Sequence, residues 1–388
     1  MDAIAHLAGA FTIFAFLTHV ATILIARRRL RVPPTESLPD TQIPPVTIIR
    51  PVCGVDAYEE QTLGSTFELD YPRYEILFCC ASPEDPAVAL VQRLIAEHPD
   101  VNARLLIGDE RPTQNPKLNN CLKGWHGAAH EWIVIADSNV VMPRDYLQRL
   151  LAAWRPDTGL VSAPPIGHMP GNVWAELECV WLNTYQARWQ YTADAGGGGF
   201  AQGKNMLWRR SDLEAAGGIL ALAREPAEDA AATKVVRGLG LKVRLADGAF
   251  VQPLGRRTAA QVWGRQVRWA RLRRATFPGF FALEILSGLA APLACFVFAA
   301  WALEMESLDV AAVVAAYVGV WIAAEAWLAA TVGWHLNWRS PLLWLLHEAL
   351  LPVLLVQAWL GKSLSWRGNA MTSARTDEVE LRRGALGS

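Results

Sequence analysis

Residues 131–139 read E-W-I-V-I-A-D-S-N, a short β-branched apolar run that ends on a carboxylate. A run this brief, bounded by polar residues, predicts a buried strand with Asp137 at its tip. The pattern recurs upstream. V-T-I-I-R-P-V (46–52), Y-E-I-L-F-C-C-A (74–81) and V-N-A-R-L-L-I-G (101–108) read as strands, with a helix-like A-V-A-L-V-Q-R-L-I-A-E-H between the second and third. Strands alternating with helices predict an α/β domain over residues 46–260, built on a mixed, largely parallel sheet. Ligands of such sheets gather at the carboxyl ends of the strands. Two acids fall there, Asp85 and Asp137, although an aspartate after a strand is also an ordinary turn or cap residue.

The 388 residues carry a formal net charge of −1, so no global field favours nucleic acid as a partner, and any electrostatic function must come from local clusters. The hydrophobic share is 52% and unevenly spread. Met1–Ala26 is almost free of ionisable side chains and is followed at once by Arg27, Arg28, Arg29 and Arg31. A stretch of that length spans a bilayer, and the basic run lies on the wrong side for a cleaved signal peptide. Residues 1–30 therefore predict a transmembrane anchor whose basic flank stays in the cytoplasm, and 31–45 a proline-rich linker leading to the α/β domain. The six cysteines form no C-x-x-C pair, and several sit in apolar runs, as reduced thiols of a cytosolic face do.

Three apolar segments follow residue 276, near 280–303, 310–332 and 341–361, interrupted by Glu284, Glu325, His347 and Glu348. Ionisable groups inside spans are costly, so these side chains are expected to face protein, a cavity or the interface. The tail 362–388 begins basic, with Lys362, Arg367 and Arg375. Three full crossings would place it opposite the α/β domain, against the positive-inside preference, which favours one re-entrant or interfacial segment among the three.

Several side chains carry candidate chemistry. Asp137, with an oxygen-bearing Asn139 two residues on, suits a hard divalent cation, Mg2+ or Mn2+, that fills its remaining positions with phosphate oxygens and water. Glu228 and Asp229 open a helix-like segment, where acids suit the helix dipole or, alternatively, one of them serves as a general base. The stretch G-R-Q-V-R-W-A-R-L-R-R (264–274) puts five arginines into eleven positions. Arginine forks bind phosphate bidentately, and Lys117 adds a point charge; the same cluster is also a plain basic flank of the next span. On a helix Arg265, Arg268 and Leu272 share one face.

Asp85, Asp137, Asp229 and R-Q-V-R-W, in that order, resemble the D…D…D…(Q/R)-x-x-R-W pattern of GT-A glycosyltransferases. G-V-D, F-E-L-D-Y-P-R-Y-E-I-L-F-C, N-P-K-L-N-N, A-E-D, R-W-A-R-L-R and the tail's S-W-R-G are similar to the ceramide glucosyltransferase family, family 21, which includes bacterial hopanoid-associated relatives. The resemblance implies a Rossmann-like GT-A domain and an inverting enzyme that moves one sugar, glucose being the family's, from a UDP-sugar to a lipid hydroxyl. It implies that Asp85 contacts the uridine, Asp137 the metal–diphosphate, and that Asp229 is the catalytic base. Arg265, Arg268 and Trp269 would close over the diphosphate from an interfacial helix at 261–280, ahead of membrane helices at 281–361. Bacterial relatives imply an inner-membrane protein with its catalytic domain in the cytoplasm. Two positions depart from the pattern: D-S-N stands for a fuller D-x-D, and Gln186 stands where eukaryotic members tend to carry histidine.

A lipid alcohol cannot travel far through water, so the base is expected near the bilayer surface, with Trp269, Phe277, Phe280 and Phe281 at headgroup depth. Trp174, Trp181, Tyr185 and Trp189 fall within about 80° on a helical wheel, a stripe for lipid, for an acceptor groove or for core packing. G-G-G-G-F-A-Q-G (196–203) gives a backbone able to bend closely around a ligand, or merely a flexible loop, the first being favoured as an acceptor-side loop. Two other classes compete. A processive polysaccharide synthase needs more spans than the sequence offers, and a silent sugar-nucleotide sensor has no use for a base. Ceramide, diacylglycerol and hopanoid acceptors are not separable from sequence.

Overall fold

The computed structural model describes residues 1–31, 43–361, 363–366 and 369–372. Most of the expected linker, the basic residues Lys362, Arg367 and Arg375, and half of the S-W-R-G motif lie outside them. The chain divides into two compact units. One comprises Leu30–Gly167 and Ala193–Gly255; the other Met1–Arg29, His168–Thr192 and Arg256–Ser373. The segment 168–192, which the sequence reading left inside the α/β domain, thus packs with the apolar helices.

The α/β unit is built on strands β1 (Val46–Pro51), β2 (Tyr74–Cys80), β3 (Asn102–Ile107), β4 (Trp132–Ala136), β5 (Thr158–Ser162), β6 (Pro165–Pro170), β7 (Asn205–Arg209), β8 (Lys242–Leu245) and β9 (Phe250–Gly255). Seven of them form one sheet in the order β3-β2-β1-β4-β7-β5-β8, with β6 and β9 outside it. Every pairing in that sheet is parallel except those of β7, which runs antiparallel between β4 and β5. The runs read from sequence are therefore strands, and their lack of alternation has a cause: Ile48, Ile49, Ile133, Val134, Ile135 and Leu207 are buried on both faces of the sheet. Strand order reverses between β1 and β4, the switch point outside which α/β sheets hold their ligands. Asp137 is the first residue beyond β4.

Helix Pro116–Gly127 brings a site residue to that edge. Asn115 caps it, its side chain accepting from Leu118 N at 3.1 Å, and Pro116 occupies the first turn. Leu118, Cys121, Leu122 and Trp125 recur at helical spacing and enter the core against Ile49, Leu77 and Cys79. The close approach is made at Gly124, where a Cβ would lie 2.7 Å from Ile49 Cγ2 and 2.8 Å from Cys79 Sγ.

In the second unit, Asp2–Leu30, Ser307–Val332 and Ser340–Leu360 are long and apolar enough to cross a membrane. The segment near 280–303 is not one span. It breaks into helix Pro278–Leu283, a 3-10 turn at Glu284–Ser287 and helix Ala290–Ala302, whose 13 residues reach only about 20 Å. The break is stabilised: Glu348 Oε2 accepts from Leu289 N at 2.6 Å, and a side chain at Gly288 would strike Leu351 and that same carboxylate. Glu325, His347 and Glu348 are all buried, and Glu284 is ion-paired with Arg273, so the ionisable groups of the apolar segments face protein. The aromatic stripe divides. Trp181 and Tyr185 are buried against the His347 ring, with centroids at 4.2 and 5.1 Å, while Trp174 stays exposed. A π-helical turn at Trp181–Ala187 changes the wheel spacing on which a single stripe depends.

Gly124→Ala is expected to destabilise the α/β unit by about 1–3 kcal/mol, because a methyl must displace side chains in a filled core. Denaturant unfolding of the detergent-solubilised protein measures it, and an unchanged midpoint would mean that the helix has room to rise off the sheet.

Candidate active site

The site begins with charge that cannot stand alone. Lys117, in the first turn of helix Pro116–Gly127, is buried, and its ammonium lies 2.6 Å from Asp137 Oδ1 and 2.7 Å from Glu228 Oε1. It also donates to the Gly203 carbonyl at 2.5 Å. Burial favours the neutral amine, but the two carboxylates outweigh it and hold the Lys117 pKa above the usual lysine range. Asp137 has the mirror-image balance: burial pushes its pKa up, and the ammonium groups of Lys117 and Lys204 bring it below the ordinary carboxylate range. Lys204 Nζ sits 2.8 Å from Asp137 Oδ2 and 2.9 Å from Asn139 Oδ1.

Two hard oxygens, from Asp137 and Asn139, therefore converge on one positive centre, which is also the donor chemistry of a Mg2+ or Mn2+ site completed by phosphate and water. The residues fit such an ion. Among the described residues no cluster of three or more His, Cys, Asp or Glu forms an all-protein cage. The Asp137 loop is held from below by Arg50 of β1, wholly buried, which donates to Thr66 Oγ1 at 2.6 Å and to the carbonyls of Ser138 and Val140 at 2.8 and 3.1 Å.

Asp229 lies in the first turn of helix Glu228–Gly238 and remains partly exposed. Its Oδ2 accepts from Gly203 N at 3.0 Å and its Oδ1 from Ala230 N at 2.8 Å. Burial first, then the charge of Glu228, pushes its pKa up to about 6, against the pull of the Gly203 and Ala230 amides and Lys117. Glu228 itself is committed to Lys117 and to Asn115 Nδ2, 2.8 Å away. Gly203 is glycine because a Cβ would lie 2.8 Å from Glu228 Oε1 and 3.3 Å from Lys117 Nζ. The last residue of the glycine-rich run thus serves the carboxylates through its bare backbone.

Asp85 has a distinct place, at the carboxyl ends of β1 and β2. It caps helix Pro86–Glu97 through Ala87 N and accepts from Gly54 N at 2.9 Å, tying together the loops that follow the two strands. Arg265, Arg268 and Trp269 belong to the other unit, on helix Ala259–Thr276, which starts with a capping box between Thr258 and Gln261. Arg265 pairs with the buried Glu178 and lies over the Trp269 ring at 5.9 Å. Arg268 is lowered to about 10 by burial and by Arg265, and stays charged at neutral pH. The α/β unit thus gathers Lys117, Asp137 and Asp229 and adds Glu228, Lys204 and Gly203. Of the added groups, the E-D doublet announced Glu228, whereas nothing in G-K-N marks Lys204.

A family model described as glycosyl transferase family 21 matches residues 8–378. The chain belongs to glycosyl transferase family 21. It is a glycosyltransferase. Ceramide glucosyltransferase 1 of Caenorhabditis elegans is 25% identical over 370 residues, covering 92% of this chain and 77% of the relative. Ceramide glucosyltransferase of Komagataella phaffii is 28% identical over 333 residues, covering 68% and 64%. A mannosyltransferase of Pyrobaculum calidifontis, solved with GDP-Man and Mn2+, superimposes with a TM-score of 0.51 at 22% identity, over 91% of this chain and 98% of that one. That likeness, with the mixed and mostly parallel sheet, makes the fold of this family 21 chain GT-A.

Glu228→Gln is expected to lower the Asp229 midpoint below about 6, since it removes an upward influence, leaves burial in place and frees Lys117 to act on Asp229. Infrared carboxylate difference spectra, referenced to Asp229→Asn, read that midpoint; an unmoved or higher value would exclude Glu228 as the partner that sets it.

Proposed function

We propose that this glycosyltransferase transfers one glucose from a UDP-sugar to the primary hydroxyl of a membrane lipid such as ceramide, with inversion at the anomeric carbon. The observation that carries the reading is the contrast between two carboxylates whose affinities for a proton are shifted in opposite directions. Asp137 is held ionised between two ammonium groups, while Asp229, 3.0 Å from the Gly203 amide and partly exposed, is poised near neutral pH. The first suits a donor diphosphate and its counter-ion; the second suits a general base. The ceramide glucosyltransferase relatives support the lipid acceptor. The mannosyltransferase bound to a nucleotide sugar and Mn2+ has the same kind of fold.

In this reading Asp229 accepts the proton of the lipid hydroxyl as its oxygen forms the new bond to the anomeric carbon. The bond from that carbon to the diphosphate oxygen breaks, and its electron pair leaves with UDP. Lys117, Lys204, Arg265 and Arg268 offset the charge that gathers on the departing diphosphate, and Trp269 covers it. Asp85 orients the uridine end. Asp137 and Asn139 would hold a divalent cation, which supplies further charge to the leaving group. The base has one backbone amide on each oxygen, so its orientation is fixed before the acceptor arrives. The basic Arg27–Arg31 run after the first span favours an inner-membrane protein with the α/β unit in the cytoplasm.

Purified protein is incubated with a panel of UDP-sugars against ceramide, diacylglycerol and hopanoid acceptors, and the products are weighed; product only with a water-soluble acceptor would sink the lipid reading. Asp229→Asn is expected to lower turnover roughly 10²–10⁴-fold while UDP affinity is retained. Wild-type turnover should fall as pH drops through about 6, because the protonated carboxyl cannot accept a proton. Asp137→Asn is expected to weaken Mn2+ binding in the presence of UDP, read by electron paramagnetic resonance; equal binding would remove Asp137 from the metal's ligands.

A further inference from the structure

Helix Val173–Val180 begins at Asn172, whose side chain accepts from Ala175 N at 3.2 Å and so caps it. The same side chain clasps the chain at the entrance to helix Ala259–Thr276. Its Nδ2 donates to the Arg257 carbonyl at 2.8 Å, and its Oδ1 accepts from Arg257 N at 3.2 Å. Two turns along, Glu178 is wholly buried and ion-pairs with Arg265 through Oε1, with Arg257 Nε 3.6 Å from its other oxygen. Further on, Gln186 Nε2 donates to Gln266 Oε1 at 3.2 Å. Three polar contacts thus fasten the arginine-bearing helix to one neighbouring segment, and the central one is a carboxylate shut away from water.

A buried carboxylate is tolerated only when paired, so Glu178 fixes where the Arg265 guanidinium sits. The guanidinium has five donors in a rigid fork, and the Arg265 side chain keeps 23% of its surface exposed. One Nη is committed inward, and the rest of the fork remains for an anion. Without Glu178 a long, flexible side chain would have to be ordered by the ligand itself, which lowers affinity.

We infer that Glu178 is a positioning residue for the donor diphosphate, acting through Arg265 by clamping one end of its guanidinium from inside the protein. The inference rests on the reading of Arg265 as a diphosphate ligand, and it adds a residue that the arginine motif itself does not contain. It predicts a defect confined to the donor. The acceptor's affinity and the base's protonation do not depend on this pair.

The test compares UDP affinity by calorimetry, and the Michaelis constants for donor and lipid acceptor, across full-length wild type, Glu178→Gln, Glu178→Asp, Arg265→Ala and the Glu178→Gln/Arg265→Ala double variant. Glu178→Gln, nearly isosteric, is expected to weaken UDP roughly ten- to a hundredfold, as loss of a charge-assisted contact does. It should raise the donor constant in step and leave the acceptor constant within about twofold. Glu178→Asp keeps the charge at shorter reach and should recover part of the loss, and the double variant should bind UDP no more weakly than Arg265→Ala alone. Unchanged UDP affinity in Glu178→Gln, or a loss that adds in full to that of Arg265→Ala, would assign Glu178 to fold support and overturn the inference. Should Arg265→Ala itself leave UDP affinity intact, the underlying reading of Arg265 fails, and that outcome is separable from the first.

Discussion

The ammonium of Lys117 is the contact on which the site depends. It joins a strand tip, a helix start and a loop: Asp137 beyond β4, Glu228 at the head of helix Glu228–Gly238, and the carbonyl of Gly203. Three carboxylates in one small region would otherwise repel one another into the protonated state. A single buried cation prevents this for two of them, and Lys204 adds a second positive charge on Asp137 alone. Asp229 is held by backbone amides instead, which fix its direction without cancelling its charge. The result is a division of proton affinity within one site, with Asp137 held below the ordinary carboxylate range and Asp229 pushed up to about 6.

The parts of this arrangement that come from local chemistry could be read in the sequence. The short apolar runs gave the strands and the place of Asp137 at a tip, Lys117 was legible as a point charge, and R-Q-V-R-W-A-R-L-R-R gave a helix with Arg265 and Arg268 on one face. What could not be read is partnership across long sequence separations. Lys204 is an unremarkable lysine after a glycine until β7 runs antiparallel to β4 and brings it to Asp137. Arg50 looks like an ordinary strand residue, yet it is buried and supports the Asp137 loop through two carbonyls. Asp85 was legible as an acid at a strand end, but its hold on Gly54 was not.

The apolar half shows the same limit. Counting residues makes 280–303 long enough to span, and although the charge pattern favours one incomplete crossing, the sequence does not say which of the three segments it is. The break needs Glu348, about 60 residues later, to accept the Leu289 amide that an interrupted helix leaves exposed. In a lipid setting an unpaired amide is costly, so a buried acid that appears as a flaw in one span satisfies the interruption of another. Arg188 follows the same logic. Buried beside the π-helical turn, it donates to Thr22 Oγ1 at 2.8 Å and the Thr184 carbonyl at 2.6 Å, lies 2.9 Å from His19 Nδ1, and faces Glu325 at 3.9 Å.

Segment 168–192 has three buried charged side chains, Glu176, Glu178 and Arg188, each with its own partner. Arg188 fastens it to the first span and to helix Ser307–Val332, and Glu178 fastens it to the helix of Arg265. The chain leaves the α/β unit at 167–168 and re-enters it at 192–193, only ten residues before Gly203 and Lys204. A stretch that the strand-and-helix alternation treats as an interruption thus binds both the apolar helices and the arginine helix. Arg188 and Glu178 are buried because each finds a charged partner on another element. Either of these two replaced by an apolar residue would leave its charged partner uncompensated, which is a stronger constraint on this segment than its helix propensity.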